Sequence, residues 1–132
     1  MELSQPYSDK MNAVPNSPQA TLDRLVEIFP DFATYWRDPE NVFRNDDGSF
    51  TYCGAFSEFS HYFRDRYEEL HPDFVATLGV FISECVASSS NELADAAATC
   101  FLENVSGERF SREFECHLTG SALQFYQAWN DA

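Results

Sequence analysis

Residues 55–70 read AFSEFSHYFRDRYEEL, and this stretch decides the fold. At 100° per residue, Phe56, Phe59, Phe63, Tyr67 and Leu70 fall within one arc of about 80°, while Ser57, Glu58, His61, Arg64, Asp65, Glu68 and Glu69 occupy the opposite arc. A stripe of large apolar side chains needs a packing partner, so the segment predicts an amphipathic helix with its aromatic face turned inward. His71-Pro72 ends it, because the residue before a proline disfavours helix, and Pro72 opens the next one.

The same period continues on both sides. Ser17-Pro18 is an N-cap and first-turn pair, followed by Leu22, Leu25, Val26 and Phe29 at helical spacing until Pro30 stops the run. A short helix follows at about Asp31 to Arg37. Asn45-Asp46-Asp47-Gly48 is the strongest turn signal, and with Ser49 to Cys53 read as extended it predicts a short hairpin near residues 43–53. Phe74, Val75, Leu78, Phe81, Ile82, Cys85 and Val86 cover so wide an arc that their helix is expected at the centre. Ser89 and Glu92 have capping-box spacing ahead of a helix through Leu93, Ala97, Cys100 and Phe101 to about Asn104, which Ser106-Gly107 ends. Phe110, Phe114 and Leu118, then Ala122, Phe125, Tyr126 and Trp129, complete the apolar pattern. The expected fold class is all-α, a compact single-domain bundle of about six helices over residues 17–132, preceded by a mobile N-terminal arm at 1–16.

Composition agrees with one packed domain: 132 residues with 44% apolar and 16% aromatic content are too rich for a disordered acidic tail. Charge restricts the partner. Asp and Glu number 22 against 8 Lys and Arg, a formal net charge of −14. That exceeds the magnitude of about 2 to 8 that solubility asks of a small domain. A field of this sign repels nucleic acid and anionic lipid and attracts basic proteins.

The first twenty residues hold no apolar stretch of the kind a secretory signal needs, and the run Phe74 to Ile82 is far short of the ~20 residues that span a bilayer. Cys53, Cys85, Cys100 and Cys116 are widely spaced without a CxxC, which predicts reduced thiols and a cytoplasmic protein. Cys85 and Cys100 lie on apolar helix faces, where a free cysteine behaves as a small buried hydrophobe.

Chemistry-bearing patterns are sparse. Glu58/His61 and Glu68/His71 have the Glu-x-x-His spacing of di-iron bundles, but such sites draw on two inward-facing helices, whereas both pairs belong to one helix. Cys116-His117 has no second pair at zinc-ligand spacing. GxSxG, Walker A, GxGxxG and HExxH are absent from the sequence, so neither enzyme activity nor a cofactor or metal is expected. The carboxylates group better. Glu92, Asp95, Thr99 and Glu103 share a helix face in α-helical geometry, and Glu58, Asp65, Glu68 and Glu69 form a second acidic face. Rings beyond what a core needs suit interface anchors, with Tyr52, Tyr62 and Trp129 as candidates and Tyr62 the best placed. The expected partner-binding residues are therefore Glu58, Tyr62, Asp65, Glu68, Glu69, Glu92, Asp95 and Glu103.

Several segments carry a resemblance: Leu25-Val26-Glu27-Ile28-Phe29-Pro30, Gly48 to Tyr52, Phe56 to Phe63, Ile82-Ser83-Glu84-Cys85 and Cys100-Phe101-Leu102-Glu103-Asn104-Val105. Over about residues 20 to 105 the chain resembles a family of small helical bacterial proteins of uncharacterised function, similar to the immunity proteins of polymorphic toxin systems. The resemblance supplies no catalytic residues. It implies a cytoplasmic immunity protein that binds and neutralises a cognate, basic toxin domain by stoichiometric complex formation. The alternative is an acidic nucleic-acid mimic that occupies the groove of a nucleic-acid-binding enzyme.

Overall fold

The computed structural model describes residues 14–131, so most of the expected N-terminal arm lies outside the described residues. Among the described residues seven α-helices follow in order: α1 (Pro18–Ile28), α2 (Phe32–Arg37), α3 (Tyr52–Arg66), α4 (Pro72–Val86), α5 (Asn91–Asp95), α6 (Ser111–Glu115) and α7 (Gly120–Asn130). A 3₁₀ turn, Tyr67–Glu69, prolongs α3. A π-helical segment, Ala96–Leu102, and a 3₁₀ turn, Glu103–Val105, prolong α5. The described residues contain no strand, which makes the fold all-α.

The helix starts are set by side chains that satisfy otherwise orphaned backbone N–H groups. Ser17 Oγ accepts from Ala20 N at 3.0 Å, Thr51 Oγ1 from Gly54 N at 2.9 Å, and His71 Nδ1 from Asp73 N at 3.1 Å. Ser90, one residue beyond the Ser89 of the sequence reading, caps α5 through Leu93 N at 3.3 Å. The hairpin expected near 43–53 is replaced by a closed turn. Asn45 N donates to Ser49 O and Gly48 N to Asn45 O, both at 2.9 Å, with Gly48 at φ 88°. The chain then enters α3 directly, because the Thr51 cap makes Tyr52 and Cys53 the first turn of a helix.

The centre is α3 rather than α4. Ten of its 15 residues are buried, and its most extensive packing is against the π segment. Phe59 meets Phe29, Phe32, Tyr62, Phe63 and Phe101 at centroid distances of 5.0–6.0 Å. Phe63 extends the cluster to Phe110 and Phe114 at 5.5 and 5.1 Å. Helix α4 packs on α1, α7 and the π segment but keeps Phe74 and Val80 exposed, 49% and 56%.

The π segment has a reason in the sequence. Leu93, Ala97, Phe101 and Val105 recur every four residues, which drifts about 40° per step around a helix of 3.6 residues per turn. The wider π turn lets all four stay buried. The same widening leaves Cys100 and Asn104 half-buried at the edge. Asn104 Nδ2 donates to the Cys100 carbonyl at 2.9 Å, and Arg64 donates to the Asn104 carbonyl at 3.1 Å.

Two close contacts lock the C-terminal helices. At Gly79 on α4, a methyl group would overlap both the Cβ and the carbonyl of His117, so only glycine lets the α6–α7 connection approach. One turn further on, Ser83 Oγ accepts from Thr119 N at 3.0 Å. Deeper in, Tyr126 donates its hydroxyl to the Val105 carbonyl at 2.8 Å and lies 3.0 Å from Ser111 Oγ.

Burial pushes the Tyr126 phenol up to about 12 and the Cys85 thiol from 9.0 to about 12. The folded state therefore holds both protonated while the unfolded chain releases those protons near pH 9 to 10. Stability from this source is complete below the unfolded values and is lost as pH rises towards 12. The expected outcome is a fall of roughly 4 kcal/mol in unfolding free energy between pH 8 and pH 11. Urea titrations would read it, and a flat profile over that range contradicts the burial of these two groups.

Candidate docking surface

Reduced thiols were expected, but Cys53 and Cys100 form a disulfide with Cα atoms 5.4 Å apart. The π segment explains the miss: it turns Cys100 out of the apolar face and towards the first turn of α3. Cys85 is buried and free, as the apolar spacing predicted, and Cys116 is exposed and free. No helix of the described residues is long and apolar enough to cross a membrane.

The expected docking residues separate into three groups. Glu58 and Tyr62 are withdrawn from the surface, 9% and 2% exposed. Glu58 lies 3.4 Å from His61 Nδ1 and lines a notch with Tyr35, Asn41 and Phe43 from the segment before α3. Tyr62 joins the core rings, 5.5 Å from Phe32 and 5.7 Å from Phe59. Tyr52 is also buried, which leaves Trp129, 43% exposed, as the available ring of the three expected anchors.

Asp65, Glu68 and Glu69 remain exposed at the end of α3 and in the turn that follows it. Tyr35 donates its hydroxyl to Asp65 Oδ2 at 2.7 Å; burial and then this bond push the Tyr35 phenol up to about 12. Burial also raises the Tyr62 phenol, and the charges of Asp31 and Glu69 add to that while Arg66 opposes it. The Arg66 guanidinium lies over the Tyr35 and Tyr62 rings, 5.5 and 5.8 Å from their centroids. Beside them Phe74 stacks edge-on against Phe29 at 6.3 Å and stays half exposed. Glu68 is less available, because Arg109 contacts its carboxylate at 2.7 Å. Asp31 and Phe74 escaped the sequence reading: one was taken as a helix start, the other as core.

Glu92, Asp95 and Glu103 do not form one stripe. Glu92, Asp95 and Thr99 line a notch of about 250 Å³ together with Thr51, Tyr52 and the disulfide. Glu103 lies beyond the π turn, half-buried, and is not part of that lining. The angular grouping assumed 3.6 residues per turn throughout, which the π segment breaks.

The remaining polar patterns have structural partners. Asp47 Oδ1 accepts from Ser49 N at 2.9 Å and from Ser49 Oγ at 2.6 Å, which holds its carboxyl below the usual range. His71 caps α4 while Glu68 pairs with Arg109, so the two halves of that Glu-x-x-His pair serve different elements. Among the described residues no three His, Cys, Asp or Glu side chains group as metal ligands. A concavity of about 830 Å³ between α1 and α2 has Val14, Leu22, Val26, Ala33 and Trp36 in its lining and was not foreseen.

No curated protein and no solved structure matches the chain. A family model does, over residues 22–131, a span that contains the aromatic core, both acidic clusters and the disulfide. The chain therefore belongs to the family described as Domain of unknown function (DUF7674).

Proposed function

We propose that this protein is a stoichiometric inhibitor that docks on a basic protein, acting in the cytoplasm as an immunity protein towards a cognate bacterial toxin domain. The observation that carries the reading is the set of exposed carboxylates, Asp31, Asp65 and Glu69, beside the Tyr35 and Tyr62 rings. Asp65 accepts from the Tyr35 hydroxyl, the charges of Asp31 and Glu69 act on the Tyr62 phenol, and half-exposed Phe74 packs on the neighbouring Phe29, while Arg66 is engaged on the tyrosine rings and Arg109 on Glu68. Carboxylates steer and register a cationic partner, and the Phe74 ring supplies the desolvated contact that affinity needs. Glu92 and Asp95 form a second negative locus on the same field.

Co-expression tests the reading. The C-terminal domain encoded by the adjacent reading frame is expected to arrest growth alone, and this chain to restore growth and co-purify with it in equal amounts. A separate purification of the two proteins without mutual binding contradicts the proposal. The acidic-mimic alternative predicts that duplex DNA displaces the chain from its target, whereas docking away from a nucleic-acid groove leaves the complex intact.

A further inference from the structure

We infer that the Cys53–Cys100 disulfide is a thiol-exchange site, opened in the folded protein by neutral or cationic thiols and protected from anionic ones. This inference is independent of the docking proposal. Three features of the structure support it. Cys53 is exposed and Cys100 half-buried, and both line the open notch with Thr51 and Thr99, so a small thiol or the tip of a dithiol protein can reach the bond. Cys53 occupies the first turn of the fifteen-residue α3, where the helix dipole stabilises a thiolate. Glu92 and Asp95 share the notch, so an approaching anion is repelled at the reacting sulfur.

The chemistry is a two-electron exchange with a dithiol as reductant. Its first thiolate attacks the Sγ of Cys53, the more exposed of the two residues. The Cys53–Cys100 bond breaks, and its electron pair leaves on Cys100, which takes a proton from solvent. The reductant's second thiol loses its proton and attacks its own sulfur in the mixed disulfide. Cys53 leaves as the thiolate, and the reductant ends as a disulfide. The protein gains two electrons and two thiols, and no other reactant is needed.

The consequence is a bond that exchanges more slowly with glutathione, a net anionic thiol, than with a neutral dithiol or a cationic thiol. Reduction would release the first turn of α3 from the π segment and free Cys100 from the register that the cross-link holds. Cys85 is excluded from this chemistry by complete burial, and Cys116, exposed and unpaired, provides an internal reference.

The test is native-state thiol trapping read by peptide mass spectrometry on the whole chain. With dithiothreitol and no denaturant, Cys53 and Cys100 are expected to become alkylated within minutes while Cys85 stays unlabelled; Cys116 labels with or without reductant. With monothiols at low salt, the first mixed disulfide is expected on Cys53, forming at least threefold faster with cationic cysteamine than with glutathione after correction for thiolate fraction. The Glu92→Gln/Asp95→Asn variant should reduce that ratio to about one. The inference is overturned if Cys53 and Cys100 label only in denaturant together with Cys85, or if the first adduct falls on Cys100. Equal initial rates for the two monothiols overturn the charge selection. Because initial rates are compared, any later loosening of the reduced protein leaves the readout intact.

Discussion

Replacing Cys53 and Cys100 together by alanine is expected to lower the unfolding free energy by about 4 kcal/mol, which corresponds to roughly 12 °C in Tm for a domain of this size. The cross-link closes a segment 47 residues long. The open chain gains the entropy of that loop when the bond is removed, and the estimate follows from loop length alone. The native state loses little packing in return, since Cys53 is exposed and Cys100 only half-buried. Urea denaturation of the double variant and of the reduced wild-type chain should give matching midpoints. A loss below 1 kcal/mol in both would mean that the unfolded chain is already constrained between α3 and the π segment.

Gly79→Ala is the second large effect, with an expected cost of about 2–3 kcal/mol. Alanine ordinarily stabilises a helix interior by about 1 kcal/mol over glycine, so a substitution on local grounds would help. Here the added carbon overlaps the His117 Cβ and carbonyl. A carbonyl cannot rotate aside as a side chain can, so α4 and the α6–α7 connection must separate. That separation strains the bond from Thr119 N to Ser83 Oγ and loosens Leu118 and Ala122. Val80→Ala, on the exposed side of the same helix, is the control and should change stability by less than about 0.5 kcal/mol. A Gly79→Ala protein as stable as wild type would show that the two elements do not approach this closely.

The helices were legible because their signals are local. Ser17-Pro18, the Phe56/Phe59/Phe63 stripe and His71-Pro72 each specify a start, a face or a stop without reference to the rest of the chain, and the structure follows them. The misplaced features all depend on something a fixed angular period cannot carry. The turn at Asn45 to Ser49 was read correctly as a turn, but the Thr51 cap converts its second flank from strand to helix. Glu58 lies on the polar arc of α3 and is nevertheless covered, because a helix packed on several sides has little outer face left. Tyr62 flanks the apolar arc, and the short α2 helix, with Phe32 and Tyr35, closes over it.

The π segment accounts for the largest discrepancy. An α-helical period groups Glu103 with Glu92 and Asp95 and hides Cys100 with Leu93. The four-residue recurrence of Leu93, Ala97, Phe101 and Val105 was present in the sequence and is the signal that could have corrected both. The docking surface was half visible: Asp65 and Glu69 follow from the α3 pattern, whereas Asp31 and Phe74 join it only through tertiary packing, Asp31 by its charge on Tyr62 and Phe74 by its contact with Phe29.

The most direct measurement of the central claim is the salt dependence of association between this chain and the C-terminal domain encoded by the adjacent reading frame, for wild type and for the Asp31→Asn/Asp65→Asn/Glu69→Gln variant. The account predicts a one-to-one complex whose association rate falls at least tenfold between 50 and 500 mM salt, and a variant that associates roughly tenfold more slowly at low salt with a flattened salt response. No complex, or identical rates for wild type and variant at every salt concentration, would contradict it.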